Sequence, residues 1–391
     1  MVRWLERNGY DVSYFTNIDT DRAGAEILEH NIFLSVGHDE YWSRAMRDNV
    51  AAARAAGVHL AFFSGNEVYW KVRWEDSTDG SATPYRTLVC YKEGTLGELG
   101  CGGKCDPEAT IWTGLWRDGC AYPSADGCEP ENELTGQISW VGTTGTMTVP
   151  ETFGSHWFWQ NTTVAALNPG ETAILGTNTL GYEWNPYQST YDSFYPTNLV
   201  ALSSTSLSGQ THQLSIYQHA SGAWVFGAGT VQWSWGLDST HDRGAEPVNQ
   251  DMQQATVNLF GEMGVAAETL QPNLVVYVPC TPDCTGLVCG DDGCGGSCGT
   301  CTPGSTTCDE FGQCVACDFN YCDTRECGDD NCGGTCGSCA ATETCNETLG
   351  VCEPLPCPCS LWDPLTIPAN VTYSDPRAIE VGVRFESAVD G

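Results

Sequence analysis

An apolar run, Ile32-Phe33-Leu34-Ser35-Val36, passes directly into the polar cluster Gly37-His38-Asp39-Glu40-Tyr41-Trp42. The run has the length and composition of a buried strand, and a helix is predicted next over 43–56, with Ser43 as its cap and Gly57 at its end. Open α/β sheets usually hold their chemistry where strands end. The sequence therefore predicts an ionisable site at the end of this strand.

Short apolar strands alternate with helices over residues 1–70. The predicted strands are 12–15, 32–36 and 59–63, and the predicted helices are 2–8, 22–29 and 43–56. This alternation predicts a parallel sheet that is covered on both faces. Polar loops follow the three strands at 16–19, 37–41 and 65–70, so these loops should converge on one rim of the sheet.

From about residue 85 onward the pattern indicates β-structure. Six strands are predicted in this part, at 87–91, 137–141, 173–176, 199–202, 214–217 and 223–226. Polar and glycine-rich turns separate them, and a last helix over 247–263 should close the domain. We therefore expect residues 1–270 to form one α/β domain with a β-rich extension.

The charge of the chain limits its partners. Its 391 residues include 50 Asp and Glu against 16 Lys and Arg, which gives a net charge of −34. A phosphate backbone is bound by clustered basic side chains, so nucleic acid is not an expected partner. No run approaches the 18 or so apolar residues of a membrane-spanning helix, so no membrane span is expected.

Eighteen of the 23 cysteines lie between Cys280 and Cys359, and we expect 280–359 to form two disulfide-rich repeats. The cysteines of 280–314 recur in 317–352 with a period of about 38 residues, one supersecondary unit in each copy. Disulfides are favoured because the segment has no histidine, although two Cys-x-x-Cys pairs also have the spacing of zinc ligands. So many cysteines predict a secreted or cell-surface protein.

Two further segments are set apart by composition. An insertion over 95–130 contains four cysteines, which suggests two local disulfides and leaves Cys90 as a free thiol. Residues 360–391 resemble the first strands of a β-sandwich module that is common at the C-termini of exported bacterial proteins. Both ends of the chain have the character of internal cuts, so we expect a signal peptide upstream.

Chemically capable side chains collect on the predicted rim. They come from the loops after two neighbouring strands and from one later segment: His38, Glu40, Tyr41, Asn66, Glu67, Tyr69 and Glu183. Each also has a purely structural interpretation, such as a packed aromatic or an acid at a helix start. Phenolate, carboxylate and imidazole together suit a hard or borderline metal such as high-valent iron. Nucleophilic hydrolases are less favoured, because no Gly-x-Ser-x-Gly elbow follows a predicted strand in residues 1–270 and the first 89 residues lack cysteine.

Four motifs stand out over residues 1–265. They are Gly37-His38-x-Glu40-Tyr41-Trp42-Ser43, Gly65-Asn66-x-x-Tyr69-Trp70, Gly181-Tyr182-Glu183 and Phe226-Gly-Ala-Gly-Thr230-Val-Gln-Trp233. Together they resemble the C-terminal domain of the N,N-dimethylformamidase large subunit family. The resemblance implies a glutamine-amidotransferase-like, flavodoxin-like parallel sheet layer with a β-rich extension.

The same resemblance implies a metal site. In the family's characterised enzyme, a mononuclear iron held by two tyrosines and one glutamate hydrolyses a small formamide. Carried over by motif, the metal ligands would be Tyr41, Tyr69 and Glu183, and the cofactor would be ferric iron. Glu67 or Glu40 would serve as general base, and His38 or Asn66 would orient the substrate or a ligand. Glu67 departs from the small residue that the family pattern leads us to expect there.

Two other functions remain open at this point. The same fold could serve as a non-catalytic surface protein that binds carbohydrate, because exposed Trp and Tyr side chains beside Cys-rich repeats suit adhesion. The amidotransferase-like layer could also be only a structural scaffold, since a fold does not imply a function. The expected ligand is accordingly a small-molecule amide or a glycan.

Overall fold

The computed structural model describes residues 1–93, 105–108, 110–118, 128–242, 244–279, 283–291, 297–302, 305–317, 321–330, 335–340, 343–346 and 348–354. By internal contacts the chain divides into two compact units, Met1–Thr281 and Pro282–Gly391. The predicted sandwich module at 360–391, most of the insertion at 95–130, and Cys280, Cys294 and Cys332 lie outside the described residues.

The described α-helices of the first unit are α1 Val2–Arg7, α2 Asn17–Arg22, α3 Arg44–Ala55, α4 Asn132–Thr135 and α5 Gln250–Glu262. Three of them, α2, α3 and α5, begin at capping side chains, those of Thr16, Ser43 and Asn249. Ser43 caps α3 as predicted, because its side chain accepts a hydrogen bond from the Met46 N–H. No helix in the described part of the chain is long and apolar enough to cross a bilayer.

The predicted helix over 22–29 is wrong in its bounds. The chain instead forms α2 and then a 3-10 helix, Gly24–Glu29. The cause is a capping box, in which the Thr16 side chain accepts from the Asp19 N–H and the Asp19 carboxylate accepts from the Thr16 N–H. This pairing starts the helix earlier than hydrophobic periodicity indicates.

The described strands of the first unit are β1 Ile32–Gly37, β2 Tyr41–Ser43, β3 His59–Ser64, β4 Trp70–Glu75, β5 Thr87–Val89, β6 Thr148–Pro150, β7 Thr172–Ile174, β8 Val200–Ala201, β9 Thr205–Leu207, β10 Gln210–His212, β11 Ser215–Gln218 and β12 Trp224–Gly227. Five of them form a mixed sheet in the order β1-β3-β12-β11-β8. In this sheet β1, β3 and β12 run parallel, and β11 is antiparallel to both of its neighbours, β12 and β8. The predicted combination of sheet and helix is confirmed, and the flavodoxin-like topology stays a prediction.

Two predicted strands do not form. Residues 12–15 belong to no ladder, and of 137–141 only Val141 makes a bridge, to Trp184. Ser139 has a φ of 64°, a left-handed backbone conformation that interrupts an extended strand. The Gln137 side chain also donates to the carbonyl oxygens of Gln213 and Gly227, so the segment attaches through a side chain rather than a ladder.

The sheet is buried on both faces, as the sequence predicts for parallel strands. Ala61 and Phe63 of β3 pack in one apolar cluster, and Leu60 and Phe62 pack in the other. All four side chains are almost completely buried. β3 lies between β1 and β12 in the sheet, and its burial on both faces fixes the start of the chain that follows it.

The Cys-rich unit contains two short hairpins, β13 Thr306–Cys308 with β14 Cys314–Ala316, and β15 Glu343–Asn346 with β16 Val351–Pro354. Within the described residues the two repeats share three corresponding disulfides: Cys284–Cys298, Cys289–Cys308 and Cys301–Cys314, then Cys322–Cys336, Cys327–Cys345 and Cys339–Cys352. The sulfurs of Cys289, Cys301 and Cys308 lie within 4.8 Å of one another, but all are paired. The prediction of disulfides is confirmed, and these sulfurs are not available as zinc ligands.

The cysteines near the insertion also agree with expectation. Cys105 and Cys128 are disulfide-bonded, and Cys90 is a free thiol. Cys90 lies directly after β5 and is half-buried.

Candidate functional site

The backbones of Tyr41 and Tyr69 lie close together because β2 and β4 pair in parallel. Tyr41 is in register with Trp70, and the N–H groups of Tyr69 and Trp70 donate to the Glu40 carbonyl at 3.0 and 2.8 Å. Tyr41 is thus the first residue of a strand, which corrects the prediction that it lies in a loop. The pairing places Tyr41 at the start of β2 and Tyr69 directly before the start of β4.

The loop between β3 and β4 adopts an unusual backbone. Asn66 and Val68 both have a φ of 51°, which is costly for a β-branched residue such as valine. Gly65 approaches so closely that a Cβ there would lie 2.7 Å from the Glu183 carbonyl oxygen. The Asn66 N–H donates to Asn185 Oδ1 at 3.0 Å, which helps to hold this conformation. The loop is therefore fixed directly against the segment that contains Glu183.

Glu183 joins residues from three separate segments. His38 Nε2 lies 2.6 Å from Glu183 Oε2, and Asn66 Nδ2 donates to the same oxygen at 3.0 Å. The backbone of Glu183 is held by a hydrogen bond from the Val231 N–H at 3.2 Å. Within the described residues Glu183 Oε1 makes no hydrogen bond, so that oxygen is left for a ligand.

Glu40, which directly precedes Tyr41, lies close to His38. Its Oε2 lies 4.0 Å from His38 Nδ1, and its side chain is 17% exposed. Burial, opposed by the positive charges of His38 and Lys92 and assisted by the negative charge of Glu183, raises the pKa of Glu40. A carboxylate with a raised pKa in contact with solvent is a stronger base than an ordinary glutamate.

A cation stands beside each tyrosine. Lys92 Nζ lies 5.6 Å from the centre of the Tyr41 ring and 4.8 Å from that of Trp70, and the Arg117 guanidinium carbon lies 4.9 Å from the Tyr69 ring centre. Burial raises the pKa of the Tyr69 phenol, and Arg117 opposes that rise. Sequence reasoning missed both cations. Their rarity was a signal, since only 16 Lys and Arg occur in the chain. Lys92 lies just before the insertion over 95–130, and Arg117 lies within it.

Glu67 lies beneath the rim rather than on it. It is 1% exposed, and burial raises its pKa to about 8. The hydroxyl of nearby Thr135 is engaged with the carbonyl oxygens of Glu131 and Gln137, so neither carboxyl oxygen of Glu67 has a partner with hydrogen-bond geometry. The structure therefore brings Glu40, but not Glu67, together with His38, Asn66 and Glu183.

The chain matches a known protein family. Residues 1–247 match the family model described as N,N-dimethylformamidase beta subunit-like, C-terminal. The chain belongs to this family. The matched region contains every residue of the group described above, whereas the Cys-rich unit lies outside it. No curated protein matches the chain.

The donors of this N,N-dimethylformamidase-like domain are hard oxygens. Tyr41 and Tyr69 present phenol groups, and Glu183 presents a carboxylate that His38 and Asn66 orient. Oxygen donors of this kind select hard cations over soft ones. The residues of the rim therefore fit a hard metal ion better than the disulfide-bonded sulfurs of the repeats do.

Proposed function

We propose that this protein is a metal-dependent hydrolase of an amide or another C–N bond, with ferric iron held by Tyr41, Tyr69 and Glu183. The observation that carries the proposal is the contact of one Glu183 oxygen with both His38 and Asn66. Metal-binding side chains are commonly oriented by such partners, which fix the ligand and raise its basicity. Membership in an N,N-dimethylformamidase-like family supports the same reaction class.

The donor set fits a trivalent cation on electrostatic grounds. Two phenolates and one carboxylate would balance three positive charges, and Lys92 and Arg117 favour negative charge on the adjacent rings. The Glu183 side chain is 19% exposed, which leaves an approach from solvent. When bound, ferric iron supplies Lewis acidity for the amide carbonyl and for a water.

The chain's own residues would divide the remaining tasks. Glu40, with its raised pKa, takes the proton of the attacking water and later returns it to the leaving amine. His38 holds Glu183 and stands close enough to Glu40 to stabilise its charge. Asn66 donates to the same Glu183 oxygen, and the hydrogen bond from the Asn66 N–H to Asn185 Oδ1 holds its backbone in place.

Metal analysis tests this proposal directly. The full chain, reconstituted with ferric iron, should bind one iron per chain, develop a tyrosinate-to-iron absorption band and release amine from small formamides. Tyr69→Phe should lose the band. Tyr187→Phe is the matched control, because it removes an exposed hydroxyl that donates to Asp192 and keeps the ring. Absence of iron and of the band in the reconstituted chain would refute the proposal.

A carbohydrate-binding role is the second candidate. Trp140 and Tyr187 are 41% and 43% exposed, and Tyr187 stacks on Tyr195 with ring centres 5.5 Å apart. Exposed, preoriented aromatic faces suit contact with sugar rings. Glycan-array binding that survives a Tyr41→Phe/Tyr69→Phe double substitution would favour this role over hydrolysis.

We also propose that the protein works outside the reducing cytosol. The disulfides of the repeats form and persist in oxidising compartments. Fractionation of cells that express the complete gene would test this, because recovery of the chain only in cytosol would contradict it.

A further inference from the structure

Trp140 is an exposed aromatic residue that lies beside Tyr69, one of the proposed metal ligands. It is 41% exposed to solvent. Burial raises the pKa of the Tyr69 phenol, and the Arg117 charge and the nearby Trp140 side chain, acting as a hydrogen-bond donor, oppose that rise. Tryptophan donates only through its indole N–H, so this edge of the ring faces the Tyr69 hydroxyl. An aromatic ring is thus partly open to solvent next to the proposed metal site.

The backbone on both sides of this tryptophan is fixed. Asn185 Nδ2 donates to the Ser139 carbonyl oxygen at 2.8 Å, and the Val141 N–H donates to the Trp184 carbonyl oxygen at 2.8 Å. Both partners directly follow Glu183 in the chain. The exposed ring is therefore attached to the segment that supplies the proposed carboxylate ligand.

The packing of the ring limits its movement. A Cβ at Gly142 would lie 3.1 Å from Cζ3 of Trp140, so the indole packs closely over the backbone there. Asn185 Oδ1 also accepts from the Asn66 N–H at 3.0 Å, which joins the same segment to the loop between β3 and β4. The indole therefore has a defined position relative to the proposed ligands.

Two cations near the proposed ligands are already engaged. The Arg117 guanidinium carbon lies 4.9 and 5.6 Å from the ring centres of Tyr69 and Tyr191, and Arg117 Nη2 donates to Glu131 Oε1. Lys92 Nζ lies 5.6 and 4.8 Å from the centres of two aromatic rings. A charged substituent would have to displace these contacts, so an uncharged one is the better match for this surface.

The amide side chains next to the indole are engaged within the protein as well. Asn185 Nδ2 donates to Ser139, and Asn66 Nδ2 donates to Glu183. A sugar ring needs polar partners for its hydroxyl groups, whereas an aromatic ring needs only an apolar or aromatic face. The surroundings of Trp140 therefore favour an aromatic ring over a sugar.

We propose that Trp140 is a specificity-determining residue, and that the substrate is an amide with an uncharged aromatic ring that stacks on the indole. This inference rests on the proposed hydrolysis, because it names the substrate class of the same site. Water adds to the carbonyl carbon, the C–N bond breaks and the proton passes to the amine, so N-benzylformamide gives formic acid and benzylamine. Contact between two aromatic rings strengthens binding roughly twofold to tenfold beyond the effect of buried area.

Substrate preference of the full chain, saturated with ferric iron, tests the inference. N-benzylformamide and N-methyl-2-phenylacetamide carry the ring on opposite sides of the C–N bond, and N-methylformamide and N-methylacetamide are their ring-free references. We expect the kcat/KM of one ring-bearing amide, relative to its reference, to fall about tenfold in Trp140→Ala, through KM, and to stay within about threefold in Trp140→Phe. Tyr14→Ala is the matched control, because it removes an exposed ring whose hydroxyl donates to Glu6 of α1.

Three outcomes would overturn the inference. Equal losses in Trp140→Phe and Trp140→Ala would assign the effect to the indole N–H at Tyr69 rather than to the ring. Unchanged preference in Trp140→Ala would remove the residue from substrate selection. Faster hydrolysis of N-formylglucosamine than of both aromatic amides would assign the ring to a sugar.

Binding to the iron-free chain separates this inference from the proposed hydrolysis. Saturation-transfer NMR should show transfer to the ring protons of the preferred aromatic amide in the parent chain and in Trp140→Phe, and little transfer in Trp140→Ala. If no amide is hydrolysed but this pattern is found, the proposed hydrolysis fails and Trp140 stands as the ring-binding residue. Equal transfer in the parent chain and both variants would overturn the inference even where hydrolysis is observed.

Discussion

His38 Nε2 lies 2.6 Å from Glu183 Oε2, although one residue follows β1 and the other belongs to a segment between β7 and β8. The side chains are only partly exposed, so their hydrogen bond is worth about 1 kcal/mol or somewhat more. Its main effect is orientation, because His38 and Asn66 both contact Oε2 and hold the Glu183 carboxylate in one position.

Replacement of His38, which contacts Glu183, should weaken metal binding while leaving the fold intact. We expect His38→Gln to lower iron affinity about 10–100-fold, the usual effect of removing a group that orients a metal ligand. Iron titration followed by the absorption band measures this. His219→Gln, in a surface turn, is the control and should leave affinity unchanged.

Removal of the proposed general base should separate chemistry from binding. Glu40→Gln should retain iron and reduce the hydrolysis rate about 10²–10⁴-fold. In the parent protein activity should fall as the pH drops through a pKa above that of ordinary glutamate, because the base must be ionised. If Glu40→Gln keeps full activity and the same pH profile, Glu40 is not the base.

The charge of Lys92 should stabilise the metal-bound form of Tyr41. Lys92→Met should lower iron affinity several-fold, because a partly desolvated cation near an aromatic ring contributes about 0.5–2 kcal/mol. Arg22→Met removes a comparable cation 4.8 Å from the Tyr85 ring, away from the tyrosines of the site. Equal effects of the two substitutions would contradict a specific role for Lys92.

Buried Glu67 should make stability depend on pH. Its pKa rises from 4.5 to about 8 on folding, so its contribution is complete below pH 4.5 and is lost as the pH increases to 8. Glu67→Gln should therefore flatten the fall in the free energy of unfolding between pH 4.5 and pH 8 by roughly a few kcal/mol, measured by urea unfolding at each pH. Exposed Glu26→Gln should leave the slope as it is.

The repeats should depend on disulfides and not on metal. Reduction with dithiothreitol should unfold residues 282–354, because each disulfide is worth about 2–4 kcal/mol. A chelator should have no effect, and peptide mapping should recover pairs such as Cys284–Cys298 and Cys322–Cys336. Zinc release accompanied by unfolding would contradict these pairings.

Local patterns determined the elements and the residue types of the site. The strands around Leu34 and Ala61 and the cap at Ser43 could be predicted because burial, periodicity and capping act within one or two turns of chain. The cysteine repeat likewise predicted disulfides, since spacing and the absence of histidine are properties of the sequence. The motifs around Tyr41 and Tyr69 were enough to indicate the family.

Long-range packing decided how those residues meet. Tyr41 joined a strand because Trp70 offers a ladder beside it, and Glu183 reached His38 because Gly65 permits a close backbone approach. Glu67, a plausible base by sequence, is buried below the rim, and Lys92 came unforeseen to Tyr41. These outcomes depend on contacts between distant segments, which no local pattern encodes, so only the tertiary structure could assign them.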